Sequence, residues 1–195
     1  MSTRLAAAPE PLGLSVLEAS SRAGLKGPNA AGWLEGEGVP VPAQPNTWLP
    51  LPGGGLVARL ATSEFLVEDG RRALAARLRD ALGHGAPGVY PVLRCDASFA
   101  LAGAGAIEVL AQVCNVQFAA LDLSTRPLVL TSMVGVSVLV VPQWHGTAPR
   151  YRIWCDPTFG PYLSRTLLDI VTQEGGTRVA PARLEPDTLN DWGDP

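Results

Sequence analysis

The sequence predicts an α+β fold made of two similar halves, each a split βαβ (ferredoxin-like) unit. Strand and helix patterns alternate along the chain, which is typical of mixed folds. A second observation is an internal repeat: the pattern L-x-G-x-x-A-x-x-[WV]-L occurs at Leu25–Leu34 and again at Leu101–Leu110, an offset of 76 residues. Similar strands and an amphipathic helix follow each copy. We therefore predict two βαββαβ-like halves, at about 25–82 and 95–173, within one domain spanning 13–174.

In the first half, the repeated glycine-helix pattern is followed by a proline-rich stretch, Val39–Pro52. Prolines at this density exclude helix and central strand, so we predict an extended connector anchored by Trp48. Two strands and a helix come next, at Leu56–Leu60, Glu64–Glu68 and Arg71–Leu82. The helix has leucines four residues apart on one face and ends at Gly83.

In the second half, strands and helices again alternate. They are predicted at Val89–Cys95 (strand), Ser98–Leu101 (strand), Ala104–Cys114 (helix), Leu128–Val141 (two strands with a turn near Gly135), Tyr151–Cys155 (strand) and Pro157–Gln173 (helix). Asp156 is the expected N-cap of the last helix. Residues 1–12 are predicted to be a flexible N-terminus, and 175–195 an acidic, poorly ordered tail.

Composition limits the class of partner. The net charge is −3 and charged residues make up only 17%, so the chain lacks the basic field that nucleic-acid binding requires. The longest apolar stretch, Pro127–Pro142, is short and interrupted by hydroxyl residues, and no signal-peptide core is present. We expect a soluble, cytoplasmic protein with a largely neutral surface that a protein partner could cover. The three cysteines fit neither a disulfide framework nor a zinc site, and buried thiols are expected.

No motif for a catalytic, cofactor or metal site is found. The turn Gly103-Ala104-Gly105 lacks the third glycine of a dinucleotide loop, so a tight strand-to-helix turn is expected. Asp96 and Ser98 suggest a hydrolase triad with His145, but no G-x-S-x-G elbow surrounds a serine. Asp96 is expected to close a strand turn instead.

Four segments, taken in order, resemble one family. They are Leu56–Val67 (like L-G-P-D-E-W-L-L), Cys95–Gly103 (like V-D-V-S-…-L-x-L-x-G), Val109–Cys114 (like V-L-A-K-G-C) and Cys155–Leu163 (like R-S-F-A-x-Y-L-W). The chain resembles the gamma subunit of heterotetrameric sarcosine oxidase and the small subunits of N-methylglutamate dehydrogenase-type complexes. More distantly, it resembles the N-terminal part of the glycine-cleavage aminomethyltransferase. It departs from the family at Thr62-Ser63, where Pro-Asp stands, and at Phe65, where Trp stands.

The resemblance implies a non-catalytic small subunit of a flavin-dependent sarcosine or N-methyl amine oxidase or dehydrogenase. Larger partner subunits would carry FAD, FMN, NAD and tetrahydrofolate, and this chain would brace their folate-binding-like part. An alternative is a free-standing folate-binding protein of the aminomethyltransferase fold, and a third is a small enzyme of unrecognised chemistry. The folate-dependent transferases of this fold need an aspartate among the central strands. No acid lies between Asp122 and Asp156 here, which argues against transferase activity.

Candidate interface residues follow from exposure and pairing arguments. Trp144 and His145 lie at a loop tip, where a large aromatic residue is a favoured partner contact, and Trp192 lies in the acidic tail. Arg59 and Glu64 lie on adjoining strands, where they either pair across the sheet or contact a partner subunit. Both alternatives remain open at the level of the sequence.

Overall fold

The computed structural model describes residues 10–17, 21–52, 54–69, 73–145 and 148–181. Their strands and helices, in chain order, are β1 (Gly13–Leu17), β2 (Ser21–Lys26), α1 (Ala30–Gly36), β3 (Thr47–Leu51), β4 (Gly55–Ala61), β5 (Glu64–Asp69), α2 (Leu74–Gly83), β6 (Tyr90–Val92), β7 (Ala97–Ala102), α3 (Ala106–Val113), β8 (Val129–Met133), β9 (Val136–His145), β10 (Ala148–Cys155), α4 (Gly160–Gln173) and β11 (Thr177–Arg178).

The strands of these described residues form two sheets with related orders. One sheet runs β3-β4-β5-β2-β6 and the other β11-β1-β7-β10-β9-β8. Four strands of the first sheet (β3-β4-β5-β2) thus match four of the second (β8-β9-β10-β7), and each set has the chain order β-α-β-β-β-α. This order has one strand more than the βαββαβ-like order predicted for each half, because β3 and β8 precede the hairpins β4-β5 and β9-β10. Neighbouring strands of both sets are antiparallel, so β2 and β4 run parallel to each other with β5 between them, and β7 and β9 do so with β10 between them.

Each sheet has one more strand beside the strand that leads into its first helix. In the second sheet this strand is β1, which lies before the first half in the chain and pairs with β7. In the first sheet it is β6, which follows α2 and pairs with β2. The strands of the first sheet therefore all come from residues 21–92, whereas the second sheet takes β1 from before that stretch.

The sheets pack face to face, and the helices cover their outer faces. Apolar side chains of β3, β4, β5, β9 and β10 meet between the sheets, with Trp48 and Trp154 among them. The outer face of the first sheet packs on α1 and α2, and that of the second packs on α3 and α4. The result is a four-layer α-β-β-α arrangement, and the inter-sheet layer joins the two halves.

Two glycines hold equivalent positions after β2 and β7. Gly27 has a φ of 132° and Gly103 a φ of 97°, conformations that favour glycine. A Cβ at Gly27 would lie 2.2 Å from the carbonyl oxygen of Gly88, and one at Gly103 would lie 2.3 Å from that of Pro11. The glycines of the repeated motif therefore permit close backbone contacts, and the predicted strand-to-helix turn at Gly103 is present.

Several predicted boundaries change. The proline-rich connector contains the edge strand β3, with Trp48 buried in its middle. The strand predicted at Val89–Cys95 shortens to β6, because Pro91 allows little pairing. The helix predicted from Arg71 begins at Leu74; residues 70–72 lie outside the described residues. Leu12, assigned to the flexible N-terminus, packs into the core.

Candidate functional site

The structure separates Arg59 from Glu64. The Arg59 guanidinium donates to the backbone carbonyls of Pro42 and Ala43 at 3.0 and 2.9 Å, which fixes the proline-rich connector. Glu64 Oε1 instead accepts a hydrogen bond from Arg94 Nη2 at 2.7 Å. The predicted cross-sheet pair between Arg59 and Glu64 is thus replaced by two separate contacts, each with a structural role. Their contact with a partner subunit stays a prediction.

Trp144 lies near the end of β9, opposite Pro149 of β10, and 41% of it is exposed. His145 is the last residue of that strand, and its side chain is outside the described residues, as is all of Trp192. The structure therefore brings Trp144 to the surface as the sequence predicts, and its interface role stays a prediction. Other large apolar side chains are exposed as well: Tyr90, Leu93, Leu130, Phe159 and Tyr162.

The sequence reasoning missed a buried group of charges between the sheets. It consists of Arg22 on β2, Glu68 on β5, Ser98 on β7, and Arg152 and Trp154 on β10, and we call it the Glu68 cluster. Glu68 Oε2 accepts hydrogen bonds from Arg22 Nε at 2.6 Å and from Trp154 Nε1 at 2.8 Å. Its other carboxylate oxygen accepts from Arg152 Nη2. Arg22 also donates to Ser98 Oγ at 2.9 Å. The cluster therefore links both sheets.

Burial and charge act in opposite directions on Glu68. Its side chain is only 1% exposed, and this desolvation raises the pKa of the carboxyl group. The charges of Arg152 and Arg22 and the hydrogen bonds from Arg22 and Trp154 lower it, and together they prevail, so the pKa lies below its usual 4.5. Glu68 is consequently an anion between two cations, with both oxygens engaged within the protein.

The cluster lies where equivalent strands of the two halves face each other. Arg22 and Ser98 are each the second residue of their strand, 76 positions apart, and they are hydrogen-bonded. Glu68 and Trp154 are each the last residue but one of their strand, and they too are hydrogen-bonded. A charged residue among the apolar residues of a strand, as at Arg152, is the signal in the sequence that could have indicated this cluster.

A surface groove crosses β8, β9 and β10 of the second sheet. This β8 groove has a volume of about 390 Å³. Its lining residues are Asp96, Leu130, Thr131, Ser137, Val138, Leu139, Trp154, Cys155 and Asp156. Asp156 accepts hydrogen bonds from the backbone and hydroxyl of Thr158, which lower its pKa and cap the turn before α4. Asp156 thus caps the 3-10 turn Pro157–Phe159, whereas the N-cap residue of α4 is Phe159, so the predicted capping holds for the turn that leads into α4 and not for α4 itself.

The thiol in this groove is poorly suited to nucleophilic chemistry. Burial, together with the charges of Asp156 and Asp96, raises the pKa of Cys155 to about 11, so the thiol stays protonated near neutral pH. Cys155 and Cys114 are buried as expected, but Cys95 is exposed. Ser98 is buried and accepts a hydrogen bond from Arg22, an arrangement unlike that of a serine activated by a general base.

Among the described residues, no group of three or more His, Cys, Asp or Glu side chains is arranged to hold a metal ion. None of the helices in this part of the chain is long and apolar enough to cross a membrane.

The fold is one that known proteins share: two sheets with helices outside, as in sarcosine oxidase and aminomethyltransferase structures. The chain is similar to a chain of the heterotetrameric sarcosine oxidase from Corynebacterium sp. U-96, in complex with pyrrole 2-carboxylate. The TM-score is 0.65 and the identity 23%, over 87% of this chain and 88% of that one. The predicted resemblance is confirmed at the level of the fold.

A second similar structure is the glycine cleavage system aminomethyltransferase T from Bartonella henselae, with a TM-score of 0.64 and 14% identity. The match covers 87% of this chain and 48% of that one, so this chain spans about half the length of the aminomethyltransferase. No protein-family model matches the sequence, and no curated protein matches it either.

Proposed function

We propose that this chain is a non-catalytic small subunit of a hetero-oligomeric, flavin-dependent oxidase or dehydrogenase of sarcosine or another N-methyl amine. The observation that carries the proposal is the agreement in length and fold with one chain of a heterotetrameric sarcosine oxidase, 87% of this chain against 88% of that one. In this role the chain braces the folate-binding-like part of a larger subunit. FAD, FMN, NAD and tetrahydrofolate belong to the partner subunits.

The electrostatics of the chain support a structural role. Glu68 is the most deeply buried carboxylate of the described residues, and its oxygens already accept hydrogen bonds from Arg22, Arg152 and Trp154. It therefore has little capacity to bind the amine protons of a folate. The strands β8 and β9, which line the groove, contribute hydroxyl groups but no Asp or Glu. The groove carboxylates Asp96 and Asp156 lie outside these strands, and hydrogen bonds from Thr158 lower the pKa of Asp156, so Asp156 is poorly suited to act as a general acid near neutral pH.

The test is co-expression of the full chain with candidate larger flavoprotein subunits from its source organism. We expect a stable complex that oxidises an N-methyl amine, and no such activity from the purified chain alone. Failure of the chain to associate, or oxidase activity of the isolated chain comparable with that of the complex, would contradict the proposal.

The alternative is a free-standing folate-binding protein, and the similarity to an aminomethyltransferase favours it. Calorimetric titration of the isolated chain with tetrahydrofolate separates the two functions. Binding in the micromolar range by the isolated chain would support the alternative, and we expect none.

A further inference from the structure

The geometry points to β8 as the docking edge for this chain's larger partner, which adds one of its own strands to the second sheet. This inference rests on the proposed function and specifies its interface. β8 is an edge strand: among the described residues, β9 is its strand neighbour. An unpaired edge presents a row of backbone donors and acceptors to another chain.

The register of the hairpin shows which backbone groups of β8 face outward. β8 and β9 are joined by the two-residue turn Val134-Gly135, with φ values of 44° and 84°. In such hairpins the flanking residues, here Met133 and Val136, form a hydrogen-bonded pair. Because hydrogen-bonded and non-bonded pairs alternate, the odd-numbered residues of β8 bond to β9. The even-numbered residues direct their N–H and C=O groups away from the sheet.

Residues just before β8 show the same alternation. The Leu128 N–H donates to the carbonyl of Asn46 at 2.9 Å, and the carbonyl of Arg126 accepts from the Trp48 N–H at 3.1 Å. The even-numbered positions of this edge are therefore already used for pairing with the segment that enters β3. The outward-facing N–H and C=O groups of Leu130 and Ser132 lie further along the same edge, beyond the part of it that pairs with residues 46–48.

Among the described strands, the other three sheet edges carry features that disfavour strand addition. β3 contains Pro50 and β6 contains Pro91, and proline cannot donate to a ladder. β11 has two residues, one of them Arg178. β8 has five residues without a proline or a charge. Since soluble proteins usually protect exposed edges with such features, the one edge that lacks them is the one suited to a partner.

Area and charge favour a larger partner over a second copy of the chain. Five paired residues span about 17 Å, and a sheet layer is about 10 Å thick, so pairing of two β8 strands buries roughly 340 Å² in total. Stable interfaces need about 1,000 Å². A larger partner can also cover Leu130, which is 57% exposed, and the adjoining β8 groove. The groove lining includes Asp96 and Asp156 but no basic residue, so the partner segment is expected to carry an apolar residue and a Lys or Arg.

The test uses two variants of the full chain, each co-expressed with the same candidate flavoprotein subunits. Ser132→Pro removes an outward N–H without touching the ladder to β9, and Leu130→Lys places a charge on the edge. Leu93→Lys is the matched control, because Leu93 is 87% exposed on a different edge. We expect both β8 variants to lower co-purification at least tenfold and the control to match wild type. The backbone amides of Leu130 and Ser132 should also become protected from hydrogen exchange in the complex.

The possible results distinguish a wrong docking edge from a wrong proposed function. If the β8 variants assemble like wild type, the docking edge is wrong and the proposed function stands. If the wild-type chain does not assemble with the flavoprotein subunits, the proposed function fails and this inference fails with it. A concentration-dependent dimer that Ser132→Pro abolishes would overturn the inference in favour of a second copy. Amide protection at β8 in the isolated chain that disappears when residues 182–195 are removed would assign the edge to the chain's own terminus.

Discussion

Replacing Glu68 with glutamine removes the negative charge of the Glu68 cluster and keeps the size of the side chain. The two guanidinium groups of Arg22 and Arg152, each at most 9% exposed, would then lie close together without their anion. The amide also has one oxygen acceptor in place of two, so one of the three donors loses its partner. We expect a large loss of folding stability with no change in surface chemistry.

The magnitude follows from the burial. Removing one member of a buried ion pair costs about 3–5 kcal/mol, because an uncompensated charge remains in the interior. For a chain of this length, 1 kcal/mol lowers the melting temperature by about 2–4 °C. The Glu68→Gln variant should therefore melt about 6–20 °C below wild type.

Glu64→Gln is a matched control in the same strand. Glu64 pairs with Arg94, but its side chain is 34% exposed, and exposed ion pairs contribute about 0–1 kcal/mol. Urea titrations followed by tryptophan fluorescence would give both free energies of unfolding. Equal losses for the two variants, within about 0.5 kcal/mol, would refute the reasoning that burial makes the Glu68 cluster the main polar link between the sheets.

The same comparison has a defined pH dependence. The pKa of Glu68 is lower in the folded protein than its usual 4.5, so the unfolded chain binds the proton more tightly. The contribution of Glu68 is complete above pH 4.5 and is lost as the pH falls through the folded pKa. The stability difference between wild type and Glu68→Gln should thus be constant near neutral pH and shrink in acid.

Three further predictions concern other parts of the chain. Gly103→Ala should destabilise the protein by about 1–3 kcal/mol, because the new Cβ adds a clash with backbone atoms to an unfavourable φ. The loss should exceed that of Gly85→Ala, where a Cβ meets nothing within 4 Å. Thermal melts of both variants test this order. If Trp144 is a central anchor of the interface, Trp144→Ala should weaken assembly with the large subunit by about 2 kcal/mol. The melting temperature of the free chain should stay nearly unchanged. A fall in that temperature with assembly unaffected would make Trp144 a core residue. Cys155 is buried and has a pKa of about 11, so it should react with iodoacetamide at pH 8 at least about 100-fold more slowly than the exposed Cys95. Mass spectrometry of the labelled peptides would show which cysteine reacts first. Equal rates would contradict the conclusion that the Cys155 thiol is buried and protonated.

Much of the local structure could be predicted because it depends on short-range signals. The hairpin within Leu128–Val141 follows from two apolar runs around Gly135, whose positive φ the turn requires. The helix over Pro157–Gln173 follows from apolar residues at helical spacing and an Asp-Pro start. These features are set by residues within a few positions of one another.

The inter-sheet contacts could not be predicted in this way. Glu68 contacts Arg22 and Arg152, which lie 46 and 84 positions away in the sequence. From its local sequence alone, Glu68 would be predicted to be a solvated acid at the end of a strand. The positions of Arg59 and Glu64 on adjoining strands allow either a pair across the sheet or contact with a partner subunit, and the sequence does not show that the connector carbonyls and Arg94 lie within reach of them. Which strand neighbours β1 or β6 is likewise decided by assembly of the sheets rather than by local pattern.

The place of β1 in the second sheet bears on how the chain reaches its native state. During synthesis β1 emerges first, but its neighbour β7 is made only after all strands of the first sheet. The first sheet, whose strands lie within residues 21–92, can form while the second half is still being made. Completion of the second sheet depends on the long-range pairing of β1 with β7, and such pairing is intrinsically slow. A chain divided between β6 and β7 should therefore yield a first fragment with all strands of the first sheet and a second fragment that gains β1 only when the two are mixed.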